Sequence, residues 1–127
     1  TTGINSSFIG NINTCGGQFG DSGGLFDDYQ NNEDYTMTFC SDNPDTNLCL
    51  QFDFIEFNIE NGWEFLTVYD GPDNSSPMID IYTGTASPGI ISATGTCLTF
   101  NFTSDGIITR PGWLANISCG PCPTCFD

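Results

Sequence analysis

Two acidic turns hold the residues of this chain that are best suited to chemistry. The first follows the alternating apolar run FDFIEFNI and carries Glu60 and Glu64 on either side of an Asn-Gly pair. The second carries Asp105 in a Ser-Asp-Gly sequence that follows the apolar run LTFNF. Carboxylates fixed at the ends of strands supply the hard oxygen ligands that calcium prefers. The two turns therefore predict a calcium site if the fold brings them together.

The charge of the chain limits the classes of partner that it can bind. Sixteen acidic residues stand against one basic residue, Arg110, and the net charge is −15. A surface of this charge repels phosphate backbones and anionic membranes, which disfavours nucleic acid and lipid surfaces as partners. No apolar run is long enough to span a bilayer, so membrane insertion is not expected. The charge favours cations, either calcium or the Lys and Arg side chains of a protein partner.

The composition also argues against catalysis. The chain has no histidine, and Arg110 is its only basic side chain, so the usual general bases and oxyanion partners are missing. Ser22 lies in a DSGG sequence similar to a serine-protease nucleophile loop, but no histidine exists to activate it. We therefore predict that the protein is not an enzyme.

The apolar pattern predicts a β-sandwich of one domain. No segment has a sustained period near 3.6, and short alternating runs are separated by turn signals about every ten residues. The first thirty or so residues are rich in Gly, Asn and Ser and predict irregular structure. The alternating phase slips at Ile55, which indicates a β-bulge, and Asn61-Gly62 predicts a tight hairpin. The predicted strands are 35–40, 48–59, 63–69, 78–82, 89–93, 97–102 and 112–119.

The same alternation predicts which side chains form the core. We expect most of the following ten residues to face the interior, with one or two on the outer face: Phe52, Phe54, Phe57, Ile59, Phe65, Val68, Leu98, Phe100, Phe102 and Leu114.

Seven cysteines without histidine are typical of a secreted protein with disulfides rather than of a zinc protein. Cys119, Cys122 and Cys125 are spaced as CxxCxxC, which we interpret as disulfide framework leading toward a following module. Glycosylation sequons, which fit an extracellular location, occur at Asn5, Asn74, Asn101 and Asn116.

Several of these segments together resemble the CUB domain, an extracellular sandwich module. The stretch from Cys15 to Cys40, CGGQFGDSGGLFDDYQNNEDYTMTFC, is similar to the opening of that family. FDFIEFNIE, WEFLTVYDG, LTFNFTSDG and GWLANISC are similar to its later strands, and the short segment after Glu60 is more similar to bacterial than to vertebrate examples. The resemblance implies a two-sheet antiparallel jelly roll over residues 15–119, with an N-terminal extension at 1–14 and a Cys/Pro linker at 120–127.

The resemblance also implies a function for the acidic turns. Glu60, Glu64 and Asp105 match the positions at which many CUB domains bind calcium, although the family usually has Asp at the position of Glu64. Glu56, Asp70 and the backbone carbonyl of Ile107 are reserve candidates for further ligands, but Asp70 precedes Gly71 and an Asp-Gly pair is itself a turn signature, which favours a turn-forming role for it. In the family the ligating acids also receive a lysine from a protein partner, and an acidic module fits that role.

Disulfide pairing follows partly from the resemblance and partly from register. The resemblance implies a bond between Cys15 and Cys40. A plain hairpin register places Cys97 opposite Cys119, whereas Cys49 competes for Cys97, so this choice stays open.

The combined prediction is a non-catalytic binding or adhesion module of a larger secreted or surface protein. It would recognise a protein or glycan partner with the assistance of calcium. The alternative is a structural subunit or spacer of an extracellular assembly or filament. In that case residues 1–14, which include the apolar side chains of Phe8, Ile9 and Ile12, either fold back along their own sheet or add as a strand to a neighbouring copy.

Overall fold

Two five-stranded sheets form a sandwich in the computed structural model, which describes residues 3–5, 10–20, 34–45, 47–104 and 112–122. None of these residues is helical, and within them no helix is long and apolar enough to cross a membrane. The strands are β1 (Gly3–Asn5), β2 (Gly10–Asn13), β3 (Gln18–Gly20), β4 (Asp34–Cys40), β5 (Leu48–Asn58), β6 (Phe65–Tyr69), β7 (Met78–Tyr82), β8 (Ile90–Ser92), β9 (Cys97–Thr103) and β10 (Gly112–Pro121). The predicted all-β two-sheet architecture is confirmed.

The chain crosses from one sheet to the other between most consecutive strands, whereas β6 and β7 pair with each other as an antiparallel hairpin in the second sheet. The first sheet has the order β1-β3-β10-β5-β8, and the second has the order β2-β4-β9-β6-β7. The hairpin predicted at Asn61-Gly62 is wrong, because β5 and β6 lie in different sheets and the turn carries the chain from one sheet to the other. The turn itself is tight, and Gly62 adopts φ +82°, a conformation that glycine reaches without steric cost.

The predicted bulge in β5 is confirmed. Ala115 pairs with Phe54 and Leu114 pairs with Glu56, so Ile55 is the extra residue on the bulged strand. The bulge leaves Ile55 and Glu56 exposed in succession and returns Phe57 to the interior.

Residues that the sequence predicts as irregular or as an extension form edge strands. The first strand pairs in parallel with β3, and β2 pairs in parallel with β4. Both lie within residues 1–14, so this part of the chain folds back onto its own sheets, one of the two arrangements considered above. The short strands have little alternating pattern of their own, and their extended form depends on the neighbour with which they pair.

The interior is dominated by aromatic rings. Phe100 lies at its centre, and eight of the ten predicted core residues are buried. Phe65 and Leu114 are only half-buried, because the inward positions of their strands are occupied by Leu66 and Trp113. Two of the ten residues thus lie outside the buried core, which agrees with the one or two exceptions expected.

Within the described residues, three disulfides join distant parts of the sandwich, and their pairing corrects the prediction. The bonds are Cys15–Cys119, Cys40–Cys97 and Cys49–Cys122.

The predicted bond between Cys15 and Cys40 is wrong. The pairing of β4 with β9 places Cys40 directly opposite Cys97, with Cα atoms 4.1 Å apart. The two pairings considered for Cys97, with Cys119 or with Cys49, are wrong because both candidate partners lie on strands of the first sheet. Cys122 is bonded to Cys49, so the folded unit continues beyond residue 119.

Candidate functional site

The turn between β5 and β6 brings Glu60 and Glu64 together at one end of the sandwich. The N–H of Glu64 donates to the carbonyl of Glu60 at 3.1 Å. In return, the N–H of Glu60 donates to the carboxylate oxygen Oε1 of Glu64 at 2.9 Å. These reciprocal bonds fix the orientation of the Glu64 side chain through the backbone of the turn. The sequence prediction that both acids share this end agrees with the geometry.

The burial of Glu64 is the unusual electrostatic feature of this end. Its side chain is completely buried (0 % exposed), and Glu60 is half-buried beside it. An ionised carboxylate withdrawn from water is costly unless hydrogen bonds or a cation compensate the lost hydration. The donor chemistry here, carboxylate and carbonyl oxygen, is that of a hard cation such as calcium. The residues present therefore fit a calcium ion by their chemistry.

The third predicted acid, Asp105, and the carbonyl of Ile107 lie outside the described residues. Across the ranges that the structure describes, no three His, Cys, Asp or Glu side chains group closely enough to hold a metal ion. Two carboxylates of the predicted set are thus together, and the calcium ligand set stays a prediction.

The two reserve candidates, Asp70 and Glu56, have different surroundings, and a role for either as a calcium ligand stays a prediction. Asp70 follows β6 whereas Glu64 precedes it, so five strand residues separate them. Asp70 instead accepts hydrogen bonds from Thr94, at 3.0 Å from the N–H and 2.6 Å from the hydroxyl, and so fixes a turn at the opposite end. Glu56 is exposed on the outer face of the first sheet, beside the bulge at Ile55.

A groove that the sequence did not predict adjoins the acidic turn. It has a volume of about 440 Å³ and is lined by Asn58, Ile59, Asn61, Thr83, Gly84, Thr85 and Ala86. Trp63, two residues after Asn61, is 70 % exposed. The sequence pattern predicts Trp63 as the first residue of a strand, which is wrong. In the structure β6 begins only at Phe65, which leaves Trp63 in the turn.

The sequons have different surroundings. Asn74 and Asn116 are exposed, and the side chain of Asn5 is not described. Asn101 is half-buried, and its amide Nδ2 lies within 3.1 Å of three acceptors, on Asp34, Tyr35 and Thr36. A glycan on that nitrogen would displace these bonds, so the geometry disfavours Asn101 as a glycosylation site. Glycosylation of the exposed sequons stays a prediction.

Comparison with known proteins gives consistent matches. The model of the CUB domain family matches residues 15–117. Mouse neuropilin and tolloid-like protein 2 is 36% identical over 83 residues, which is 63% of this chain and 16% of that protein. Human cubilin is 30% identical over 105 residues, which is 78% of this chain and 3% of that protein. The chain thus spans a small part of the curated relatives that it matches.

Solved structures agree with the fold. A crystal structure of the MASP-1 CUB2 domain bound to Ca²⁺ superposes with a TM-score of 0.70. The superposition covers 86% of this chain and 96% of the MASP-1 chain, at 17% sequence identity. At this identity the likeness bears on the architecture alone, which is the same two-sheet jelly roll.

Proposed function

Because the chain belongs to the CUB domain family, we propose that it is a non-catalytic extracellular binding module whose acidic turn binds calcium. The observation that carries the proposal is the fully buried carboxylate of Glu64 beside Glu60. In this proposal Glu60 and Glu64 hold the ion together with Asp105 and the carbonyl of Ile107. The bound ion would neutralise carboxylates that otherwise repel one another. The crystal structure of the MASP-1 CUB2 domain bound to Ca²⁺ supports calcium binding by a domain of this family.

The proposed partner is a basic protein surface. Carboxylates that a cation holds in place are already ordered, so a lysine ammonium can pair with them at a small entropic cost. A net charge of −15 attracts such a partner and repels a second copy of the chain. The module would serve adhesion or targeting within a larger secreted or surface protein.

The structural alternative, a filament built by strand addition between copies, has less support. The segment that would be donated already pairs within its own chain, through β1 with β3 and β2 with β4. No observation on the described residues favours an exchange of these strands between copies.

Calcium should stabilise the protein against heat. An ion that binds only the folded state, at a hundredfold excess over its Kd, contributes about 2.7 kcal/mol to the free energy of unfolding. We expect metal-free protein to melt several degrees higher in millimolar calcium. An unchanged melting temperature would refute the calcium proposal.

Two charge-removing variants make the calcium test specific. Glu64→Gln retains the oxygen that accepts from Glu60 but removes the charge, and it should lose the response to calcium. Asp70→Asn removes one charge at the other end and should keep the response. Calorimetry with an oligolysine peptide then tests the partner. Binding that needs calcium and is lost in Glu64→Gln supports the proposal, whereas binding that persists in chelator would indicate general charge attraction.

A further inference from the structure

The groove beside the acidic turn is held in shape by internal hydrogen bonds. The N–H of Ile59 donates to the carbonyl of Gly84 at 3.0 Å. The hydroxyl of Thr83 accepts from the N–H of Gly62 at 2.9 Å and donates to the carbonyl of Glu60 at 3.2 Å. Both walls, residues 58–61 and 83–86, are therefore fixed to each other before any ligand arrives.

Gly84 permits the close contact of these walls. It is buried with φ +81°, and a Cβ built there would lie 2.9 Å from Oδ1 of Asn61. The missing side chain therefore brings the amide of Asn61 directly against the opposite wall and sets the shape of the groove.

Polar groups along the groove are available to a ligand. In the part of the chain that the structure describes, the side chains of Asn58, Asn61 and Thr85 make no hydrogen bond. An amide offers two donors and one acceptor oxygen, and a hydroxyl offers one donor and two acceptor sites. Such groups complement a ligand that itself carries neutral groups able both to donate and to accept.

Trp63 adds an apolar surface to the same turn. Its side chain is 70 % exposed, whereas Trp113, the other tryptophan, is 2 % exposed in the core. Gly62, which precedes it, is bonded to Thr83 in the opposite wall, so the indole is attached to a fixed segment. An exposed indole presents a large rigid apolar face together with one N–H donor.

From this combination we infer that the groove and Trp63 form a binding site for a neutral sugar. A pyranose ring has apolar C–H faces that can stack on an indole, and its rim of hydroxyls matches the amides and the threonine hydroxyl. The groove volume of about 440 Å³ is in the range of small-ligand sites, roughly 300–1,000 Å³. The net charge of −15 opposes sulfated or carboxylated sugars, which selects neutral ones. This inference goes beyond the calcium site. The groove is shaped by hydrogen bonds within the protein and does not need a bound calcium ion for its shape.

Titration with neutral oligosaccharides tests the inference. The probes are hexamers of N-acetylglucosamine, mannose and glucose, added at up to millimolar concentration with either calcium or chelator present. Binding is read from tryptophan fluorescence, to which Trp63 contributes the solvent-exposed signal, and from calorimetry. We expect at least one neutral hexamer to bind and to shift the emission, while a sulfated oligosaccharide does not bind.

Two matched variants decide whether the groove is responsible. Trp63→Ala should weaken binding of the hexamer at least about tenfold, the change expected from loss of a central aromatic contact. Met78→Ala removes another exposed apolar side chain (54 % exposed), on β7, and should bind as the parent does. Thermal melts confirm that both variants are folded.

Three outcomes would overturn the sugar site. They are no binding of any neutral hexamer, undiminished binding by Trp63→Ala, and a Trp63-dependent interaction with the oligolysine peptide alone. The last would assign the surface to a protein partner. The melting response to calcium is measured separately, so failure of the sugar site does not depend on failure of the calcium site.

Discussion

Truncation of Phe100 to alanine should reduce the free energy of unfolding by about 3–5 kcal/mol, the usual cost of removing a buried phenylalanine. The ring is 1 % exposed and lies on β9 at the centre of the interior. Its centroid is 4.8 Å from that of Phe52 and 5.0 Å from that of Phe19, with further contacts to Phe39 and Phe54. Since Phe19 and Phe52 belong to the first sheet and Phe100 to the second, the deletion leaves a cavity between the sheets.

Urea unfolding at equilibrium measures this effect. Ile90→Ala is the matched control, because Ile90 is 66 % exposed and its truncation should change stability by no more than about 0.5 kcal/mol. If Phe100→Ala unfolded at the same urea concentration as the parent, the assignment of this face of β9 to the interior would be wrong.

Removal of the Cys15–Cys119 disulfide should reduce the free energy of unfolding by about as much as truncation of Phe100. The bond closes a loop with a sequence separation of 104 residues, and the loss of chain entropy in the unfolded state corresponds to about 4.7 kcal/mol for a loop of this length. The double variant Cys15→Ala/Cys119→Ala should therefore unfold at a much lower denaturant concentration. It also releases the start of the segment that leads into β3.

The control for this variant is Cys125→Ala, which leaves all three bonds intact. Non-reducing peptide mapping with a protease that cleaves at acidic residues reports the pairing directly, since a single Arg makes trypsin unsuitable. A peptide linking Cys15 to Cys40 would contradict the pairing described here, as would a double variant of unchanged stability.

The strands that carry an alternating apolar pattern can be predicted from the sequence. The predicted strand 78–82 has the same bounds as β7, and the slip of the apolar phase at Ile55 correctly indicates the bulge. Alternation alone does not give the correct face everywhere. In β6 both Phe65 and Leu66 are apolar, and only the pairing with β9, which places Leu66 opposite Phe102, determines which of them faces inward.

The parts of the fold that depend on residues distant in sequence cannot be predicted from the local sequence. An Asn-Gly pair predicts a turn, but it carries no information on whether the flanking strands share a sheet, and here they do not. The predicted disulfide pairing is wrong for the same reason, because pairing follows from which strands lie opposite each other.

The candidate site, too, could be predicted from the sequence only in part. Two acids that flank a tight turn must be close, and Glu60 and Glu64 are. The complete burial of Glu64 is a property of packing, and the wall of the groove at 83–86 comes from a segment more than twenty residues away. The turn-forming role favoured for Asp70 agrees with the structure, in which a strand of five residues puts it at the end opposite Glu64.

The bond between Cys15 and Cys119 also governs the response of the domain to mechanical force. Their Cα atoms are 5.2 Å apart, so tension applied at these two positions passes through one disulfide and does not load the strands between them. The enclosed stretch, with a sequence separation of 104 residues, would span about 350 Å if fully extended. Single-molecule pulling from residues just outside the two cysteines should reveal extension on this scale only after reduction; an extension of that size with the bond oxidised would contradict the pairing. Under oxidising conditions tension along the chain would therefore not extend the residues between the two cysteines, whereas after reduction of the bond the same tension could unfold and extend them.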